Sequence, residues 1–220
     1  MHTYRLIRSR RRSVAVLITP EAQLLIRAPL QFPVEKIEEL LRQKSTWIEQ
    51  HLQRIRKNGG PRKVKQYQEG ERFNYKGKIF TLHFSSIKKA TLRDDVLLLP
   101  TQKRLQAKKL VHEWYKREAR EYLFSRIQEW SERTGLKYKK LRLSSAKTRW
   151  GSCSLGGNIA LSWRLILLPS EAIDYVLVHE LAHLLEHNHS KKFWQRVASI
   201  LPNYQLQKQW FRQNRHLDTL

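Results

Sequence analysis

Residues 170–187 are predicted to form an apolar helix that contains two histidines and a glutamate, and this combination constrains the chain more than any other feature. His179 and His183 lie four residues apart, and Glu180 directly follows the first histidine. Burying imidazoles and a carboxylate among apolar side chains is unfavourable unless they bind or react with something. The apolar positions are Ile173, Val176, Leu177, Val178, Leu181, Leu184 and Leu185. The segment therefore predicts a functional site inside a folded core.

The spacing of the two histidines predicts a metal site. On an α-helix, positions four apart lie about one turn along and about 40° round the axis, so the imidazoles of His179 and His183 face a common point. Two neutral imidazole nitrogens at such a point can bind a zinc ion at about 2.0–2.1 Å. Glu180 lies off that axis, where a carboxylate can act as general base on a water activated by the metal. The alternative is a pair of core histidines satisfied by hydrogen bonds.

A catalytic zinc site needs a third protein ligand and an open fourth position. His189 is the favoured third ligand, because it follows a predicted helix end at Asn188, where the chain can turn back. His187 and Glu186 are the alternatives, although His187 would lie a turn too far along the helix. The spacing equals that of the metzincin third ligand, but Glu186 stands where that motif has glycine, so the chain is not predicted to be a metzincin.

Several other residues have both a functional and a structural interpretation. Residues 149–153, Arg-Trp-Gly-Ser-Cys, follow a predicted strand. They form either a wall of a substrate cleft, with Arg149 directing a carbonyl or carboxylate, or a packed tryptophan with a glycine-dependent bulge. Cys153 has no second cysteine to share a metal with and is favoured as a small buried residue. Tyr204 either stabilises an oxyanion or begins a helix, and the second role is favoured. Core packing is predicted for Trp163, Arg164, Phe193 and Trp194.

The order of predicted elements indicates an α+β fold with two regions. Residues 1–100 are β-rich and contain one helix, and residues 101–220 combine a long helix, a few strands and further helices. Strands are predicted at 13–18, 23–27, 78–84, 90–93, 96–99, 140–145 and 158–163, and helices at 34–52, 102–133, 170–187, 191–201 and 204–215.

Composition excludes several classes of protein. One cysteine in 220 residues excludes an internal disulfide framework and a cysteine-based zinc ribbon. No run approaches the about 18–20 apolar residues that a membrane span requires. The first residues lack the uninterrupted apolar segment of a signal peptide. A cytoplasmic protein without a membrane partner is therefore expected, and no feature indicates the oligomeric state.

The charge balance is strongly basic. Lysine and arginine number 43 against 19 acidic residues, a formal charge of +24. The segment from Pro169 to Leu220 has six basic and five acidic residues, so almost all of this excess lies before it. Clusters run from Arg5 to Arg12, Arg54 to Lys65, Lys103 to Lys109 and Lys137 to Arg149. They predict salt-dependent nucleic-acid binding, or a solvated basic surface without a dedicated ligand.

With these motifs the sequence resembles the YgjP-like metallopeptidases, a zincin-type family related to the SprT-like zinc proteases. The resemblance extends over nearly the whole chain. Its markers are Tyr4 to Arg12, Trp47-Ile48, Gly70-Glu71, Tyr75 to Gly77, Lys147 to Cys153, Asn158 to Leu165, His179 to His183 and Asn188 to Ser190. It implies a zincin-like catalytic region in residues 101–220, with His179, His183 and His189 as zinc ligands and Glu180 as catalytic base.

The function expected from these features is zinc-dependent hydrolysis of peptide bonds in a peptide or protein substrate. Glu180 would deprotonate the water and then protonate the leaving amine. The alternative is a nucleic-acid-associated binding protein whose metal site is structural or vestigial. A protease that acts on DNA-associated proteins, by analogy with SprT-like proteins, combines the two.

Overall fold

The computed structural model describes residues 3–19, 21–57, 60 and 64–214. The chain forms two compact units, Met1–Lys65 and Gln66–Leu220. The sequence instead suggested a division after residue 100. The difference arises because the strands between residues 72 and 100 share one hydrophobic core with the helices that follow them. Arg62 and Lys63 of the second basic cluster, and Arg215 at the end of the last predicted helix, lie outside the described residues.

The described residues of the first unit form a three-stranded sheet and two helices. Its strands are β1 (Tyr4–Ser9), β2 (Ala15–Ile18) and β3 (Leu24–Pro29), in the order β1-β3-β2. β1 is parallel to β3, and β2 is antiparallel to it. The single predicted helix is two, α1 (Val34–Gln43) and α2 (Ser45–Lys57), because Lys44 leaves helical geometry at φ −96° and ψ 9°. The core of this unit consists of Leu24, Ile26, Ala28, Ile37 and Ile48.

The second unit begins with a four-stranded sheet and a long helix. The strands are β4 (Arg72–Tyr75), β5 (Lys78–Ser85), β6 (Thr91–Arg93) and β7 (Val96–Pro100), in the order β4-β5-β7-β6. A 3-10 helix at Thr101–Gln106 then leads into α3 (Ala107–Thr134). Phe80 of β5 contacts Trp114 of α3, with ring centroids 5.3 Å apart. α3 ends at Gly135, whose φ of 71° lies in the left-handed region that glycine favours.

A second sheet and three helices complete this unit. The strands are β8 (Lys140–Ser144), β9 (Gly151–Cys153) and β10 (Asn158–Ser162), in the order β8-β10-β9. β9 was not predicted as a separate strand, because three residues are too few for a visible alternation. A 3-10 helix at Trp163–Leu167 leads into α4 (Ser170–Ala182), which is followed by α5 (Lys191–Ile200) and α6 (Tyr204–Gln213).

Helix α4 is fixed at its N-terminal end and along its side. The backbone N–H of Lys76 donates to the carbonyl of Ile166 at 2.7 Å, just before the helix. On the side, the carboxylate of Asp174 accepts hydrogen bonds from Arg126 and from Trp130 of α3. Helix α4, which contains His179 and ends directly before His183, is therefore fixed by residues that are distant in the sequence. The mixture of sheets and helices confirms the predicted α+β fold class. Among the described residues, no helix has both the length and the apolar character of a membrane span.

Candidate metal centre

Helix α4 ends earlier than the sequence indicated. The predicted helix continues to His187, but the last helical residue is Ala182, and a turn follows. The N–H groups of Leu184 and Leu185 donate to the carbonyls of Leu181 and Ala182 at 3.0 and 3.1 Å, so these hydrogen bonds span three residues. Such tightening at the end of a helix satisfies carbonyls that have no partner further along. The chain can therefore change direction directly after His183, well before Asn188.

This turn brings three imidazoles together. The Nε2 atom of His179 lies 3.2 Å from Nε2 of His183 and 2.9 Å from Nε2 of His189. Possible ligand atoms of all three residues lie within 4.8 Å of one another. Two ligands of one tetrahedral zinc ion, each about 2.0–2.1 Å from it, are themselves about 3.3 Å apart. The two distances from His179 are therefore close to the spacing between ligands of a single ion.

The protonation of His183 suits metal binding. Its Nδ1 atom lies 2.9 Å from the backbone carbonyl oxygen of Glu186. A carbonyl oxygen only accepts, so Nδ1 must carry the proton and Nε2 presents its lone pair to the other histidines. Glu186 thus contributes its backbone to the site. Among the side chains that the structure describes, the group able to hold a metal consists of His179, His183 and His189, and it includes neither Glu186 nor His187.

Burial keeps the first two imidazoles neutral. The pKa of His179 is lowered to about 3. Desolvation is the largest cause, and the neighbouring histidines contribute to the same shift. Desolvation also lowers the pKa of His183. A neutral imidazole is the form that binds a metal ion. The Nδ1 atom of His179 is buried and has no hydrogen-bond partner among the described residues, so ring packing orients this side chain.

Phe193 of α5 forms an apolar support for all three imidazoles. Its ring centroid lies 4.9 Å from that of His179, 4.5 Å from that of His183 and 4.8 Å from that of His189. Phe193 is itself fully buried. Trp194 adds contacts to the rings of His179 and His189. The sequence predicted both aromatic residues as packing near the helix, but gave no sign that one phenylalanine contacts every histidine of the group.

Glu180 lies on the side of α4 that faces β9. Its side chain is buried, and burial raises the pKa of Glu180 to about 7. The positive charge of Arg149 lowers the same pKa, but by less than burial raises it. A Cβ atom added to Gly151 would lie 2.5 Å from Oε1 of Glu180. The sequence analysis offered a β-bulge as one explanation for the glycine at position 151. Gly151 instead pairs with Leu161 in the regular register of the sheet, so it forms no bulge. The glycine is needed because the carboxylate occupies the space of a side chain.

The other residues that the sequence analysis considered for the site, Tyr204, Arg164 and Cys153, make packing contacts or backbone hydrogen bonds. Tyr204 stacks on Trp194, with ring centroids 5.5 Å apart, which supports its role in packing. Arg164 is buried, and its guanidinium lies 4.4 Å above the ring of Trp163. The thiol of Cys153 donates to the neighbouring carbonyl of Ser154 at 3.6 Å. Burial and the charge of Glu180 raise the pKa of Cys153 to about 11, so this thiol stays protonated at neutral pH.

Three grouped imidazoles are able to hold a metal ion, and comparison with known proteins identifies the class of protein as a metallopeptidase. The family model described as YgjP-like, metallopeptidase domain, matches residues 12–214. The chain therefore belongs to the YgjP-like metallopeptidases, and the resemblance seen in the sequence is confirmed. Such a protein uses a metal ion and acts on peptides.

One solved structure with similarity to this chain is the metallopeptidase zymogen abylysin of Pyrococcus abyssi. The two chains are 23% identical, and the match covers 42% of this chain and 95% of the other, with a TM-score of 0.38. No curated protein sequence matches the chain.

Proposed function

We propose that this metallopeptidase is a zinc enzyme in which His179, His183 and His189 hold the ion and Glu180 transfers protons. The observation that carries the proposal is the convergence of three imidazole nitrogens, one of which belongs to the residue directly before the buried Glu180. A set of three nitrogen ligands with an open fourth position is typical of catalytic zinc. The neutral state of the buried imidazoles and the fixed tautomer of His183 support the same assignment.

The chemistry divides between the ion and the chain. When bound, zinc supplies Lewis acidity, which makes a water molecule acidic and polarises the carbonyl of the scissile peptide bond. Glu180 accepts the proton of the attacking water at its carboxylate and then delivers it to the leaving amine. A pKa of about 7 suits both steps, because the group can take up and release a proton near neutral pH.

Strand β9 offers a place for an extended substrate. Among the described strands it pairs with β10 alone, so it lies at an edge of its sheet. An extended peptide can add to such an edge through main-chain hydrogen bonds. Because Gly151 of β9 contacts Glu180, a peptide on this edge would lie close to the catalytic carboxylate. This arrangement favours an unfolded segment of protein as the substrate.

The decisive experiment substitutes Glu180 by glutamine. Glu180→Gln should retain one zinc ion per chain and lose roughly 10²–10⁴-fold in hydrolysis, because the amide cannot transfer the proton. Zinc content by elemental analysis and cleavage of casein measure the two effects. His179→Ala is the matched variant and should lose the zinc as well. Loss of zinc from Glu180→Gln would show that Glu180 is a ligand, which contradicts the mechanism.

A further inference from the structure

A small polar pocket lies in the segment between β8 and β9. It is lined by Ala146, Lys147, Thr148, Arg149, Trp150 and Arg164. Three of these six residues are cations, and none is acidic. Its volume is about 20 Å³, which admits a group the size of a water molecule or of one carboxylate oxygen at the end of a longer group. The pocket therefore combines a small size with a concentrated positive charge.

Hydrogen bonds from Arg164 and Ser162 fix the backbone of the segment that forms this pocket. The guanidinium of the buried Arg164 donates to the carbonyl of Ser145 at 3.1 Å. The hydroxyl of Ser162 donates to the carbonyl of Ala146 at 2.9 Å, and the N–H of Ser162 donates to the carbonyl of Trp150 at 2.7 Å. A site whose backbone is already fixed loses little conformational freedom when a ligand binds.

The charge around the pocket extends well beyond its lining. From Arg133 to Ser170 the sequence has eight basic residues and no acidic residue. Lys147 and Arg149 are both exposed at the pocket, so a ligand can reach them. Arg149 lies two residues before Gly151, the residue that contacts the side chain of Glu180.

The pocket lies next to β9, the strand along which we propose that the substrate binds. Trp150 of the lining directly precedes Gly151, the residue against which Glu180 packs. Adjacent residues of an extended chain are about 3.3 Å apart along a strand. A peptide lying along β9 therefore has groups at the pocket only a few residues from the bond that faces Glu180.

We infer that this pocket binds a carboxylate of the peptide substrate and makes the enzyme selective for peptides with a negative charge close to the scissile bond. The inference rests on the proposed function. The carboxylate belongs either to an acidic side chain or to the C-terminus of the substrate, since both present the same group. The small volume and the position beside Glu180 favour a peptide carboxylate over the phosphates of a nucleic acid.

The test uses fluorogenic peptides that differ in one charge. One series carries Glu or Gln at successive positions on either side of the cleaved bond, and the other has a free or an amidated C-terminus. A carboxylate at the preferred position should raise kcat/KM roughly tenfold or more, as expected for a hydrogen bond to a charged group. A preference in the first series identifies an acidic side chain, and one in the second identifies the C-terminus.

Matched variants assign the preference to the pocket. Lys147→Gln combined with Arg149→Gln should bring the ratio of kcat/KM for acidic and amide peptides close to one. Lys137→Gln combined with Lys139→Gln removes the same charge from the same acid-free stretch outside the lining and should preserve the ratio. Equal rates for acidic and amide peptides in the wild type, or an unchanged ratio in the first variant, would overturn the inference.

A binding measurement separates the pocket from the catalytic mechanism. Fluorescence anisotropy with labelled Glu and Gln peptides on the Glu180→Gln protein gives the same comparison without turnover. If the wild-type protein cleaves no peptide but the Glu180→Gln protein binds the acidic peptide more tightly, the proposed function alone is contradicted. A single-stranded oligonucleotide that displaces the acidic peptide only when Lys147 and Arg149 are present would instead assign the pocket to nucleic acid and overturn the inference.

Discussion

The contact between Gly151 and Glu180 decides how the carboxylate that we propose as the catalytic base is oriented. A methyl group at Gly151 would lie within 3 Å of three atoms of the Glu180 side chain. Gly151→Ala should therefore displace the carboxylate and lower hydrolysis by roughly 100-fold or more, since small displacements of catalytic groups have effects of that size. Zinc content and casein cleavage measure the outcome, and the zinc should remain.

Gly156→Ala is the matched control for this prediction. Its added carbon would meet the side chain of Asn158 at 3.6 Å, an ordinary contact. The control should retain activity close to that of the wild type. Full activity in Gly151→Ala would show that hydrolysis does not depend on the position of the Glu180 carboxylate against Gly151.

The third metal ligand can be tested by comparing two neighbouring histidines. His189→Ala should weaken zinc binding by roughly 100-fold or more, because removal of a ligand exceeds the about 10–100-fold effect of a residue behind one. His187→Ala should change it little, since His187 lies outside the histidine group. Competition with a zinc-sensitive dye gives both affinities. A larger effect of His187→Ala would mean that the third ligand is misassigned.

The sequence indicated which residues meet at the site, but not how they are supported. His179 and Glu180 lie on α4 and His183 directly follows its last residue, so local geometry predicts their arrangement. His189 reaches the site only because the chain turns back after the helix. The sequence analysis predicted this turn at Asn188, whereas in the structure it begins at His183. The contacts of Phe193 and Gly151 depend on how α5 and β9 pack against α4. No local pattern encodes such packing.

At the level of elements, α4 depends on its attachment to α3. The guanidinium of Arg126 donates to both carboxylate oxygens of Asp174 at 2.7 Å, and the indole N–H of Trp130 donates to the same group at 3.0 Å. Asp174→Asn should lower the free energy of unfolding by about 1–3 kcal/mol, because it removes a charge from a partly buried hydrogen-bonded pair. Urea denaturation measures the change.

An exposed ion pair on α3 provides the comparison for Asp174. Lys109 and Glu113 approach to 3.9 Å, and more than half of each side chain is exposed. Glu113→Gln should change the free energy of unfolding by less than about 0.5 kcal/mol, because water screens such pairs. Equal effects of the two substitutions would show that Asp174 does not fix α4 to α3.

For the whole molecule, nucleic-acid binding stays a prediction from the formal charge of +24. Of the arginines near the start, Arg8 has a structural role, because its guanidinium donates to the carbonyls of Pro29, Leu30 and Phe32. The exposed arginines Arg5, Arg10 and Arg12 are the ones available to phosphates. Replacing these three by glutamate should flatten the dependence of DNA affinity on salt, with the slope falling by about 0.9 for each phosphate that is no longer neutralised.

Fluorescence anisotropy at several salt concentrations measures that dependence. Replacing Lys191, Lys192 and Arg196 of α5 by glutamate is the control, since all three are exposed and lie in the nearly neutral C-terminal segment. The control should leave the slope unchanged. Affinity that is absent at low salt, or indifferent to salt, would leave the basic residues as a solvated surface.

The boundary between Lys65 and Gln66 determines which shortened proteins are sensible to produce in the laboratory. A fragment starting at residue 101, where the sequence suggested a division, keeps α3 but discards β4 to β7. Trp114 and Tyr115, which are 1% and 0% exposed, would then lack the packing of Phe80 and present their rings to solvent. Such a fragment would tend to aggregate before its metal chemistry was ever assayed. A fragment starting at Gln66 retains this whole core and is the shorter protein to choose for crystallisation.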